Sequence, residues 1–262
     1  MHLKLSSSPL RYVLAQIKFT SIENIAEYVP KLQDKIRRDF PHFQEVKIQS
    51  VQLKEAQALS AGTLVLWHFM DKDRHVGIIL DKQSIVIHTS DYQDCETLLK
   101  RWGRVLTCFH EILNISLITQ SGLRYINIIE NDYTNIDPRL QGFHLKGDVF
   151  AAGDFLSRTE MTQKSDQGLI KIQTARASNK KLLGDFKEIF LPLDLLDIGG
   201  MLSFEHYKVL NNEFLLLDVD HFKQENADFE MTTVMDSFRQ LHEGAYQAFV
   251  QAVGSENLKR WE

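Results

Sequence analysis

One stretch limits what this chain can fold into more than any other. An amphipathic segment, Asp91 to Asn114, runs into the alternating decapeptide Ser121-Gly122-Leu123-Arg124-Tyr125-Ile126-Asn127-Ile128-Ile129-Glu130. In the first part Leu98, Leu99, Trp102, Val105, Leu106, Phe109, Ile112 and Leu113 recur at helical spacing and form one apolar face. In the second, alternation puts Leu123, Tyr125, Asn127 and Ile129 on one side of a strand and Gly122, Arg124, Ile126 and Ile128 on the other. Arg124 therefore points where aliphatic side chains point. A guanidinium held there needs an acceptor, preferably a carboxylate, because an unpaired buried charge is strongly destabilising.

The rest of the chain supplies the layers that such a helix and strand must pack against. From Tyr12 the segment Pro9 to Phe19 alternates Val13, Ala15, Ile17 and Phe19 against Tyr12, Leu14, Gln16 and Lys18, a half-buried strand. Ser21 is placed to cap a helix from Ile22 to Phe40, with Ile25, Tyr28, Val29, Leu32, Ile36 and Phe40 at helical spacing. Pro30 should kink or divide that helix, and Pro41 ends it. Val46 to Lys54, Thr63 to Met70, Val76 to Asp81 and Ser84 to Ser90 read as successive antiparallel strands with turns at Asp71-Lys72-Asp73 and Asp81-Lys82-Gln83.

Asn131 to Gly147 is rich in Asn, Asp, Pro and Gly and is the best candidate for a boundary between halves. Beyond it Phe155 to Lys164, Gly168 to Ala177, Glu188 to Leu193, Met201 to Leu210 and Glu213 to His221 read as strands. Thr232 to Val253 reads as a second long helix capped by Thr232 or Thr233. The two halves end alike: a strand, an aspartate with an aromatic, then a long helix, carrying His110-Glu111 in one case and His242-Glu243 in the other. The expected fold is α+β, with pseudo-repeated halves at 1–135 and 136–262. Each would be a curved antiparallel sheet packed on a long C-terminal helix, a helix-grip-like arrangement forming one compact unit.

Composition bears mainly on what the chain contacts. The 262 residues carry 30 basic and 35 acidic side chains, a formal charge of -5, which gives no general drive toward nucleic acid or an anionic membrane. No apolar run approaches the roughly 20 residues of a membrane span, and Met1 to Ser6 lacks the apolar core of a secretory signal, so a cytoplasmic location is expected. Cys95 and Cys108 fall on one helix about 20 Å apart and are read as reduced helix residues.

Several groups are candidates for chemistry. Asp218 and Asp220 share one face of a strand, a spacing open to a metal site, an acid pair or a pairing role, with one of them, or another acid of the sheet, available to accept from Arg124. His221 faces the other way. His242 is a general-base candidate, although neither long helix carries the second histidine of a zinc-protease helix, and no metal set with diagnostic spacing is present. Arg124, Tyr125 and Asn127 are candidate binding residues, as are Lys180 and Lys181 in a loop-like basic cluster. The glycines form no phosphate-binding loop or dinucleotide fingerprint, so no cofactor is expected. Trp261 reads as a docking or packing anchor.

Pro9-Leu10 followed by Val13, Gln16, Ile17 and Phe19 forms one part of a wider pattern. Trp67, Tyr92 and Val105, Gly122-Leu123-Arg124-Tyr125-Ile126-Asn127, Leu217-Asp218-Val219-Asp220, and Leu241-His242 with Phe249 complete it. Together these resemble a sporadically distributed, uncharacterised bacterial protein family over nearly the whole chain, with Gly-Leu-Arg-Tyr-Ile-Asn as the most specific element. The resemblance implies a bacterial cytoplasmic origin and supplies no catalytic residues. Patchy distribution is common among defence and toxin-neutralising genes, which favours a non-enzymatic partner-binding or regulatory protein of immunity, antitoxin-like or phage-defence type, its partner another protein. Two alternatives stand beside it. One is a small-ligand helix-grip protein with Phe69, Trp102, Phe109 and Tyr125 lining a cavity; the other is a metal-dependent hydrolase or nuclease using Asp218, Asp220 and His242.

Overall fold

Among the described residues the alternating segments assemble into one curved antiparallel sheet of nine strands. The computed structural model describes residues 7–53, 59–130, 156–177 and 214–262. In chain order the elements are β1 (Leu10–Phe19), a 3-10 turn (Ile25–Glu27), α1 (Val29–Ile36), β2 (His42–Leu53), β3 (Leu59–Met70), β4 (Val76–Leu80), β5 (Ser84–Thr89) and α2 (Cys95–Leu113). Then come β6 (Leu117–Glu130), β7 (Leu156–Ser165), β8 (Gly168–Ala177), β9 (Phe214–Asp228) and α3 (Met231–Trp261). The strands lie in the order β2-β3-β4-β5-β1-β6-β9-β8-β7. The expected boundary at Asn131 to Gly147, the strands at Glu188 to Leu193 and Met201 to Leu210, and Lys180 and Lys181 lie outside the described residues.

Pro30 governs the first helical segment. It has no N–H to give to a helix interior, so it sits in the first turn of α1, and the preceding residues form only a 3-10 turn. The helical segment expected over Ile22 to Phe40 is divided at Pro30 into two short pieces, as the proline suggested, but ends at Ile36 rather than Phe40. Ser21 does not cap either of them; its hydroxyl donates to Glu23 at 2.9 Å. The later helices follow their signals more closely. Asp94 caps α2 by accepting from the Thr97 N–H at 2.7 Å, and Asn114 ends it in the left-handed region. In α3 neither Thr232 nor Thr233 is the cap; Glu230 holds that position. Gly254, at φ 74°, interrupts α3 just past the expected end at Val253, and the last turns fold so that Trp261 stacks on Phe249 with ring centroids 6.1 Å apart.

Both long helices lie on one face of the sheet. Val13, Ala15, Ile17, Phe69, Ile78, Ile87, Leu123, Leu217 and Val219 meet Trp102, Phe109, Phe238 and Leu241 there in one continuous core. Trp102 packs edge-on against Phe238, and Phe69 edge-on against Phe109. Each such ring contributes about 1.5–3 kcal/mol by leaving water. Phe69, Trp102 and Phe109 are fully buried, so these rings fill the helix–sheet interface rather than line a ligand cavity. The second face is buried as well: Leu14, Leu66, Met70, Ile79, Ile126, Ile128 and Leu216 are nearly inaccessible. β6 pairs with β1 on one side and β9 on the other, and the second face, buried at Ile126 and Ile128, becomes more exposed toward β8 and β7.

Candidate functional site

Strand register brings distant charged residues onto the second face. Leu14 lies opposite Arg124, Arg124 opposite Asp220, Asp220 opposite Lys171, and Lys171 opposite Thr162, forming one rung across five strands. The adjacent rung runs Tyr12, Ile126, Asp218, Gln173 and Glu160. Because side chains alternate faces, members of these two rungs project from the same side and can bond diagonally.

Arg124 does so. Its Nε donates to Asp218 Oδ1 at 2.8 Å and its Nη2 to Oδ2 at 2.5 Å, a two-pronged ion pair. The Arg124 side chain is 13% exposed and that of Asp218 only 2%, so the pair satisfies the acceptor that strand phase demanded. On the far side, Lys171 meets Glu160 at 3.1 Å and Gln173 donates to Glu160 at 2.6 Å. Asp220 stands between these two linked groups, partly exposed, and makes no hydrogen bond with the described residues. Burial raises its carboxyl from 3.8 to about 6, and the neighbouring Asp218 adds to the rise; Arg124, Lys171 and Lys18 oppose it. It is a carboxyl with three cations near it and no donor bonded to it among the described residues, able to accept a hydrogen bond or exchange a proton near neutrality.

The other sequence candidates lie elsewhere. Tyr125 and Asn127 project from the helix face. Tyr125 Oη is 2.7 Å from His242 Nδ1 on α3, and Tyr92 packs edge-on against Tyr125. Burial raises the Tyr125 phenol well above its usual range and pushes the nearby Cys95 thiol up to about 12, so both stay protonated. Asn127 donates to the Leu217 carbonyl at 3.1 Å and ties β6 to β9. His242 is therefore across the sheet from Asp218 and Asp220, and these three do not form one catalytic or metal site.

Two buried polar arrangements carried no motif in the sequence. On the second face Tyr12 Oη is 2.6 Å from His88 Nδ1, and His88 Nε2 is 2.9 Å from His68 Nε2. Gly77 makes room for this: a Cβ there would stand 2.3 Å from His88 Nε2. Between the facing Nε2 atoms one ring donates and the other accepts, so at least the accepting imidazole is neutral, and burial favours the neutral form of both. Burial pushes His68 down to about 4 and His88 well below its usual range. On the helix face, Ser165 at the end of β7 meets His221 of β9 at 2.8 Å.

An open groove of about 510 Å³ lies between α2 and α3, lined by Glu96, Leu99, Lys100, Gly103, Met235 and Arg239. None of the sequence-predicted site residues lies in it. Among the described residues no helix is long and apolar enough to cross a membrane. The chain matches no family model and no curated protein.

Proposed function

We propose that the chain is a non-enzymatic binding protein whose partner is another protein, docked over the charged rungs around Asp220. The observation that carries this reading is Asp220 itself: a partly exposed carboxyl beside a two-pronged ion pair, raised by burial to about 6 and bonded to no donor among the described residues. A partly buried acceptor of this kind is rewarded when a partner supplies an N–H or O–H. The buried rings between helices and sheet favour this surface role over an internal ligand cavity. The separation of His242 from Asp218 and Asp220 removes support from the hydrolase alternative.

The bacterial family resemblance supports an immunity, antitoxin-like or defence-associated setting in the cytoplasm. The strand order supports an internal duplication: outward from the central β1–β6 pair run β5-β4-β3-β2 on one side and β9-β8-β7 on the other, each set followed by a long helix. Affinity purification of the full chain from its native cell, with native mass spectrometry of the eluate, tests the binding reading. A stoichiometric protein partner is expected. A chain that elutes alone, or with only a small molecule retained, overturns it.

A further inference from the structure

The contact between Ser165 and His221 has a defined proton arrangement. His221 Nδ1 lies 2.8 Å from the Leu241 carbonyl oxygen, which can only accept, so Nδ1 carries the hydrogen. In the neutral ring Nε2 is then a bare lone pair, and it faces Ser165 Oγ at 2.8 Å. Ser165 must donate to it. The imidazole is fully buried, and burial lowers its proton affinity against the opposing effect of the Leu241 hydrogen bond, so the neutral, accepting form persists at neutral pH.

The surrounding backbone is shaped to this geometry. Gly244 sits in α3 directly over the ring: a Cβ there would stand 2.4 Å from His221 Cε1 and 2.6 Å from Nδ1. A glycine in a helix interior costs about 1 kcal/mol relative to alanine, and here it is what admits the imidazole beneath the helix. Gly168, at φ 148°, closes the β7–β8 turn against the Phe222 carbonyl, next to His221. Ser165 itself is only half-buried at the hairpin end, and its Oγ also accepts from the Gln167 N–H at 3.2 Å.

We infer that Ser165 is an activated nucleophile, with His221 as its general base and the Leu241 carbonyl as the group orienting that base, and that it accepts acyl groups from activated esters or thioesters. Ser165 Oγ attacks the acyl carbon as its proton passes to His221 Nε2. The bond from that carbon to the leaving sulfur or oxygen breaks, and the imidazolium returns the proton to the departing thiolate or alkoxide. The products are an O-acyl serine and a free thiol or alcohol, and no oxidant or further reactant enters; the step is a single self-acylation without turnover, compatible with a non-enzymatic protein. Gln167 N–H donates to the nucleophile's own oxygen and so helps fix Ser165 rather than an acyl oxyanion, and without an oxyanion donor assigned here the reaction is confined to acyl donors with good leaving groups rather than amides. His221 and Asp220 project from opposite faces, so this site and the proposed docking surface succeed or fail separately.

The test exposes the full chain to a fluorophosphonate probe and, separately, to p-nitrophenyl acetate, followed by intact mass and peptide mapping. The expected result is a single adduct at Ser165, none in Ser165→Ala, and labelling slowed by about 10²-fold in His221→Gln. Since a buried residue is being replaced, the pH profile of the unaltered chain is a second readout. Its rate should rise with a midpoint below 6.5 and stay level to pH 8, following the neutral imidazole. An unmodified Ser165, or labelling that climbs in proportion to hydroxide through pH 9 as for an ordinary serine, overturns the inference.

Discussion

Arg124→Met removes the cation from the ion pair at the centre of the sheet and leaves Asp218, with its side chain 2% exposed, without its guanidinium partner. Breaking a buried pair from one side costs about 3–5 kcal/mol, because the remaining charge keeps its desolvation penalty without its partner. For a chain of this size that corresponds to a fall in melting temperature of roughly 6–20 °C. The companion variant Arg124→Met with Asp218→Leu removes both charges and should recover most of the loss, since hydrophobic replacement of a buried pair is often close to neutral. Urea unfolding at pH 7.5 on the two single variants and the double variant gives the coupling as a cycle, with an expected value of at least about 2 kcal/mol. A single Arg124→Met variant within about 1 kcal/mol of the unaltered chain, or a double variant as unstable as the sum of the singles, would refute the buried-pair reasoning.

Other outcomes follow from the same geometry. Asp220→Asn should stabilise the chain at pH 7.5 by up to about 3 kcal/mol, since a carboxyl raised from 3.8 to about 6 costs nothing below 3.8 and its full penalty above 6; a destabilised variant in urea melts at that pH contradicts this. In the Asp220→Asn background, His68 and His88 should make stability fall as pH drops from about 6.5 toward 4, because the fold holds both rings neutral while the unfolded chain protonates them. Thermal melts that stay level across that window would contradict it. Gly244→Ala, ordinarily a gain in a helix, should instead cost about 1–3 kcal/mol through the clash with His221; an unchanged or higher melting temperature means the ring is not held there.

Much of the fold was legible because it rests on local periodicity. The alternation of β6, its two faces and the need of Arg124 for a carboxylate all follow from a period of two, and the pairing with Asp218 matches the expectation. α2 was equally readable from its apolar stripe, and so was the division of the segment after Ser21 at Pro30, although the Ser21 cap and the extension to Phe40 were not found. The site was less legible for a topological reason. Lys171, Gln173 and Glu160 join Asp218 and Asp220 only through the register of β7, β8 and β9, and register is a long-range property. His68 and His88 needed knowledge that β4 separates β3 from β5 and carries Gly77 between them. One local clue to the Ser165–His221 contact was available: a glycine, Gly244, in the middle of an otherwise helical run.

The central claim is that the rungs around Asp220 form the binding surface, and the most direct measurement compares partner affinity for the unaltered chain and for folded Asp220→Asn. The docking account predicts weaker binding by at least about tenfold, the loss of a strong acceptor at a desolvated contact, with the melting temperature of the variant equal to or above that of the parent. Equal affinity for the two chains would contradict it.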